Sequence, residues 1–174
     1  MRLRSWFSPS PSGVAVRLPR HIRETVGDLA EAVLAMLPAA GDPLFPPAVA
    51  PAVEQDPALR RLFPDGYDAG AHGGAAADEF RRLTHSDLRA GKAADAERVR
   101  ATVAASAFDV PTAEAWTRCL NDVRLVLAAR LGLRLDGDAE RLTERGEGGP
   151  ALPLYGLLGF VQDELLEALE AGGH

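Results

Sequence analysis

The chain has 174 residues, a net charge of -6 at pH 7 and 47% hydrophobic residues, enough for one domain whose core needs neither disulfides nor metals to hold it together. A single cysteine, Cys119, excludes an intramolecular disulfide and any multi-thiolate zinc site. No run reaches the roughly 18 apolar residues of a membrane helix. The longest is broken by Gln162, Asp163 and Glu164, and Ser5 to Gly13 lacks the apolar stretch of a secretory signal, so a cytoplasmic protein with no membrane partner is expected.

Charge is unevenly spread. Residues 1–23 carry five arginines and no acid, whereas residues 132–174 carry nine acids against three arginines. The acidic balance disfavours a general nucleic-acid binder, which needs a clustered positive face, but the N-terminal segment can supply a small one. Eighteen of the nineteen basic residues are Arg, and Lys92 is the only Lys. That pattern, with the alanine content, matches a GC-rich coding bias and carries no mechanism.

Residues 2–7 and 13–18 alternate, with Leu3, Ser5 and Phe7 and then Val14, Val16 and Leu18, and Ser8 to Gly13 reads as turn material, so a β-hairpin is predicted. Pro19 stands where a helix can begin, and Ile22, Val26, Leu29, Val33 and Leu37 mark one face of an amphipathic helix over 20–37. Five prolines between 38 and 55 break regular structure. Asp56-Pro57 starts a short helical turn through Leu62.

After a glycine-rich stretch at 64–75, Asp78 and Glu79 open a helix that runs to about Ala105 and presents Phe80, Leu83 and Leu88, with a bend or break expected between Ser86 and Gly91. Asp109-Val110-Pro111-Thr112 then starts the expected central helix, striped by Trp116, Leu120, Val123, Leu127 and Leu131 and ended by Gly132. Residues 134–150 are charged and glycine-rich, a poor core former. Pro153 starts the last helix, with Leu154, Leu158, Val161, Leu165 and Leu169 on one stripe. The predicted fold is mainly α: a single domain over 1–174, with a short N-terminal β-hairpin (1–18) and a helical bundle (19–174) carrying flexible loops at about 38–55 and 134–150.

Chemical signatures are sparse. His21, His72, His85 and His174 form no HxxxH pair and stand at no ligand spacing from Cys119, so no metal site is expected. There is no nucleophile elbow and no glycine-rich phosphate loop after a strand, and neither a cofactor nor a catalytic residue is assigned. Thr84-His85-Ser86-Asp87 groups a hydroxyl, an imidazole and a carboxylate, but capping of a helix restart before Leu88 explains it better. Gly156 and Gly159 resemble the GxxG clamp of KH domains only superficially, and close helix packing accounts for them.

Two features keep a functional reading. Cys119 lies beside the buried stripe, where a thiol acts as a small apolar group; alternatively Arg118 lowers its pKa and makes it a redox residue. Arg2, Arg4, Arg17, Arg20 and Arg23 flank the hairpin and the first helix as nucleic-acid-contact candidates, against the plainer reading of a solvated edge guarded from strand pairing.

The order of segments also carries a resemblance. A basic hairpin is followed by EFRRLTHSDLRAGK (Glu79 to Lys92), AEAWTRCLNDVRLVLAARLGL (Ala113 to Leu133) and LYGLLGFVQDEL (Leu154 to Leu165). This resembles the actinobacterial DUF2017 family over nearly the whole chain except the loops at 38–55 and 134–150. The family is one of unknown function whose members are also described as oxidative-stress transcriptional regulators responding through cysteine oxidation.

The resemblance implies a non-enzymatic transcriptional regulator acting through DNA or RNA polymerase components. Because Cys119 has no partner in the chain, thiol sensing here requires a mixed disulfide or an intersubunit one in a homodimer. Genes resembling this one also lie near a Clp protease adaptor, which implies as an alternative a protein-interaction module of the Clp adaptor system.

Overall fold

Gly13 decides how the N-terminal strands assemble. It follows the Pro11-Ser12 turn that joins β1 (Phe7–Ser10) to β2 (Gly13–Val16), with Phe7 opposite Val16 and Ser10 opposite Gly13. Its φ is +139°, and a Cβ there would lie 2.3 Å from the carbonyl oxygen of Phe108, so only glycine fits. Phe108 belongs to a third strand, β3 (Ala107–Asp109), which pairs antiparallel with β2 and makes a sheet of order β1-β2-β3. The computed structural model of the protein describes residues 5–37, 56–63 and 75–173, and their side chains except those of 75–86.

The predicted hairpin is present, with corrections at its edges. Ser8 to Ser10 are strand rather than turn, and Pro9 is accommodated because β1 is an edge strand. The third strand was not predicted. Three residues with one buried side chain are too short to show alternation.

Six helices follow among the described residues. Helix α1 (Arg20–Met36) starts after Pro19 and buries Ile22, Val26, Ala30 and Val33, the predicted face. Helix α2 (Pro57–Leu62) is capped by the Asp56 carboxylate, which accepts from the Ala58 amide at 2.8 Å. Ala58, Leu59, Leu62 and Phe63 pack with Val126 in a small second core.

Helix α3 (Ala75–Thr102) runs without the expected break: neither Gly91 nor the Ser86-Asp87 segment interrupts it. A helical restart there is therefore corrected. Gly91 costs about 1 kcal/mol of helix propensity, too little to break a helix held by packing of Ala96 and Val99 in the core. Leu88, expected inside, is 38% exposed.

Helix α4 (Val110–Arg130) is central, touching α1, α2, α3 and the C-terminal helix α6 (Ala151–Ala171). Asp109 caps it by accepting from the Thr112 amide at 2.9 Å. Trp116, fully buried, stacks on Phe108 at 4.7 Å between centroids and donates its indole N–H to Thr102 Oγ1 at 2.9 Å, which ties the end of α3 to the sheet and to α4. Gly132, at φ +71°, ends α4 as predicted, and the Leu133 amide donates back to the Ala128 carbonyl.

The expected loop at 134–150 holds a short helix, α5 (Asp138–Glu144), which buries none of its residues. Asp138 organises it by accepting from the amides of Arg134 and Leu135 at 2.7 and 2.8 Å and from Arg141. Helix α6 begins at Ala151, two residues before the predicted Pro153, and buries Leu158, Val161, Leu165 and Leu169 on the predicted stripe. The loop expected at 38–55 lies outside the described residues. No helix among them is long and apolar enough to cross a membrane.

Candidate functional site

Of the five N-terminal arginines, Arg17, Arg20 and Arg23 lie among the described residues, and they are used differently. Arg2 and Arg4 lie outside the described residues. Arg23 turns inward, its guanidinium donating to the carbonyls of Leu18 (2.8 Å), Val103 (3.2 Å), Val16 (3.3 Å) and Ala105. Its fork joins β2, the lead into α1 and the segment after α3, a structural role for this half-buried guanidinium. Arg20 is exposed but pairs with Glu24 at 2.8 Å, which raises its pKa through that hydrogen bond and charge. Arg17 is exposed and donates to Ser8 Oγ at 3.1 Å.

Cys119 is 3% exposed and packs with Trp116, Leu120 and Val123 in the main core. Burial, then the negative charges of Asp122 and Asp95, push its thiol from 9.0 up to about 12, with Lys92 pulling weakly the other way. Burial and the raised pKa both favour the neutral thiol, as the buried-thiol reading expects.

Two buried polar residues, Asp122 and Gln162, mark the most organised polar region. Asp122 is buried on α4, and burial pushes its carboxyl up while its hydrogen bond and ion pair with Lys92 work the other way. Lys92 Nζ donates to Asp122 Oδ1 at 2.6 Å, and one helical turn away Arg118 binds Asp95 with two hydrogen bonds of 2.8 Å. On the other side Arg124 donates to Gln162 Oε1 at 2.7 Å, and Gln162 donates to the Thr117 carbonyl at 3.2 Å.

These groups border an open groove of about 750 Å³ between α3 and α4, with Gln162 reaching in from α6. Gly159 has its role here: Arg124 lies over the space a Cβ would crowd at 3.4 Å and stacks above Tyr155 at 5.1 Å. Of the two glycines read as close-packed, Gly159 is buried in contact range of the Arg124 guanidinium, whereas Gly156 is exposed and a Cβ there meets nothing within 4 Å, so packing does not account for it. The arrangement locks α3 to α4 and α4 to α6. Lys92 and Arg118 are matched by carboxylates, whereas Arg124 has the neutral Gln162 amide and the Tyr155 ring, and its Nε is buried without a hydrogen-bond partner among the described residues.

None of these groove residues was assigned from the sequence. The available signals were slight: Lys92 is the only lysine, and Asp122 and Gln162 interrupt apolar stripes. Lys92, Asp122 and Gln162 come one each from the three segments that carry the resemblance, and the fold brings them to one groove. The family model described as a domain of unknown function, DUF2017, matches residues 3–169. The chain belongs to that family. No curated protein and no solved structure matches it.

Elsewhere, the DUF2017 chain leaves an aromatic surface in solvent. Phe160 of α6 is 50% exposed and meets the ring of Trp6 edge to face, 5.2 Å between centroids, while Glu164 one turn on accepts from the Trp6 amide at 2.7 Å. His21 is exposed, the side chains of the other three histidines lie outside the described residues, and no metal-holding cluster occurs among those described.

Proposed function

We propose that this protein is a non-enzymatic regulator of transcription in the oxidative-stress response, acting in the cytoplasm through contacts with protein components of the transcription machinery. The biological role comes from the family resemblance. The observation that carries the physical part is how the polar groups are used: Lys92 with Asp122, Arg118 with Asp95, Arg124 with Gln162 and Arg23 with four carbonyls. Chemistry-bearing groups so matched serve the fold. Among the groups that face solvent is the Trp6 and Phe160 surface beside an acidic helix, a surface better suited to protein than to DNA phosphates.

Because the Cys119 thiol is buried and protonated, oxidant sensing in this reading belongs to a partner or to a step other than Cys119 oxidation. The second reading, an interaction module of the Clp adaptor system, draws on the same exposed surface. Both are tested by titrating the purified protein against duplex DNA from upstream of its own gene and against unrelated duplex, across a salt series, reduced and oxidised. The protein-contact reading expects no preference between duplexes in either redox state. Sequence-preferring binding with a steep salt slope, lost in Arg17→Ala/Arg20→Ala, would reverse it in favour of direct DNA contact.

A further inference from the structure

The outward stripe of α6 runs through Gly156, Phe160, Asp163, Glu167 and Glu170, all exposed and spaced three or four residues apart on the side away from the buried leucines. Its first half is apolar and aromatic, because Phe160 stands half in solvent against Trp6. Its second half is acidic, and Leu166, 37% exposed, borders it.

That charge is placed where the helix itself opposes it. Helix α6 has no acid in its first turn and no base in its last, and its four acids, Asp163, Glu164, Glu167 and Glu170, all sit in the C-terminal half. The exposed carbonyls at that end already carry partial negative charge, so the arrangement costs the isolated protein stability. Glu164 is occupied by the Trp6 amide. Among the described residues no cation pairs with Asp163, Glu167 or Glu170. A cationic partner would offset both the mutual repulsion and the helix-end penalty, and an apolar side chain beside it would cover Phe160.

We propose that the outer face of α6, from the Trp6 and Phe160 pair to Glu170, is the docking site for a basic amphipathic segment of a partner protein. This deepens the protein-contact reading above and rests on it. The aromatic pair supplies the anchor that dominates such interfaces, and the acidic row sets orientation and charge preference.

The test uses the full-length protein and a synthetic amphipathic Leu/Lys helix of about five turns, followed by tryptophan emission. Trp6 reports on the face, whereas Trp116 is fully buried. Saturable binding with a blue shift is expected, absent in Trp6→Phe, and weakened about tenfold in Phe160→Ala and in Glu167→Lys/Glu170→Lys. A Leu/Glu helix should bind only the charge-reversed protein. Equal binding by a Leu/Lys peptide shuffled to scatter its stripe, unchanged affinity in both variants, or no saturable signal would overturn the assignment. A dimer that Phe160→Ala splits in sedimentation would also overturn it, making a second copy the occupant. Peptide binding without recovery of RNA polymerase supports the face while removing the transcription reading; recovery of polymerase undiminished by Phe160→Ala keeps that reading and overturns the face.

Discussion

Lys92 and Asp122 form a direct ion pair, Nζ to Oδ1 at 2.6 Å, between two helices whose defining segments lie thirty residues apart in the chain. The carboxylate is the more deeply buried of the two, with 6% of its side-chain surface exposed against 17% for the lysine. The pair bridges α3 and α4 and so constrains their relative rotation.

Breaking one side of such a pair leaves the other buried without a partner. Lys92→Ala is expected to lower stability by about 2–4 kcal/mol, and Lys92→Met/Asp122→Leu to return within about 1 kcal/mol of the parent protein. Urea unfolding of the single and double variants gives both values. A double variant as unstable as the single one would mean that the pair contributes packing rather than matched charge.

Arg23 spends its guanidinium on four backbone carbonyls. Arg23→Ala should cost about 2–4 kcal/mol by stranding those acceptors, and Arg23→Lys should recover little, because an ammonium cannot reproduce the fork. Arg17→Ala, at an exposed site, should change stability by less than about 0.5 kcal/mol. Thermal melts of the three variants distinguish a structural clamp from a surface cation.

Cys119, raised from 9.0 to about 12, makes a kinetic and a pH prediction. The native thiol should resist an aromatic disulfide reagent that titrates fully in guanidinium, and peroxide should yield no disulfide dimer on a non-reducing gel. The linkage has a definite sign: below pH 9 the thiol is neutral in both states, and above it the unfolded chain ionises first. Stability should therefore fall as pH rises from about 9 towards 12, and this part of the fall should vanish in Cys119→Ala. Rapid labelling of the folded protein would contradict the buried assignment.

Gly91 lies within α3 on the rim of the groove, where an added Cβ meets nothing within 4 Å. Gly91→Ala should stabilise the protein by about 0.5–1 kcal/mol, read from the denaturation midpoint. A loss of stability would show that the backbone at Gly91 needs freedom that the folded helix does not reveal.

Much of the fold is legible in the sequence because it rests on periodicity. The stripes of α1, α4 and α6, the start at Asp109-Pro111 and the stop at Gly132 follow from apolar spacing, capping and the left-handed tolerance of glycine. Two of the failures share a cause as well. Strand β3 exists because Gly13 lets Phe108 approach, helix α5 exists because Asp138 gathers two amides and Arg141, and α3 passes Gly91 because its far end is packed. The strand and the unbroken helix depend on residues far along the chain, whereas α5 rests on a local cap, Asp138 accepting from groups three and four residues away, inside a stretch whose charged, glycine-rich composition reads as loop.

The groove was illegible for the same reason. Lys92, Asp122 and Gln162 look like unremarkable polar positions until three helices bring them together. Phe160 lies off the predicted stripe of α6, two residues from Leu158, so its outward place follows from helical spacing; its contact with Trp6 does not, because that joins residues far apart in the chain.

The most direct test of a regulator working through protein contact is nuclease-treated affinity purification of the tagged full-length chain from stressed and unstressed cells, beside the Phe160→Ala/Glu167→Lys/Glu170→Lys variant. The account predicts recovery of RNA polymerase subunits with the wild-type chain, resistant to nuclease and lost in the variant. Recovery that disappears with the DNA, or no recovery of transcription components from either culture, would contradict it.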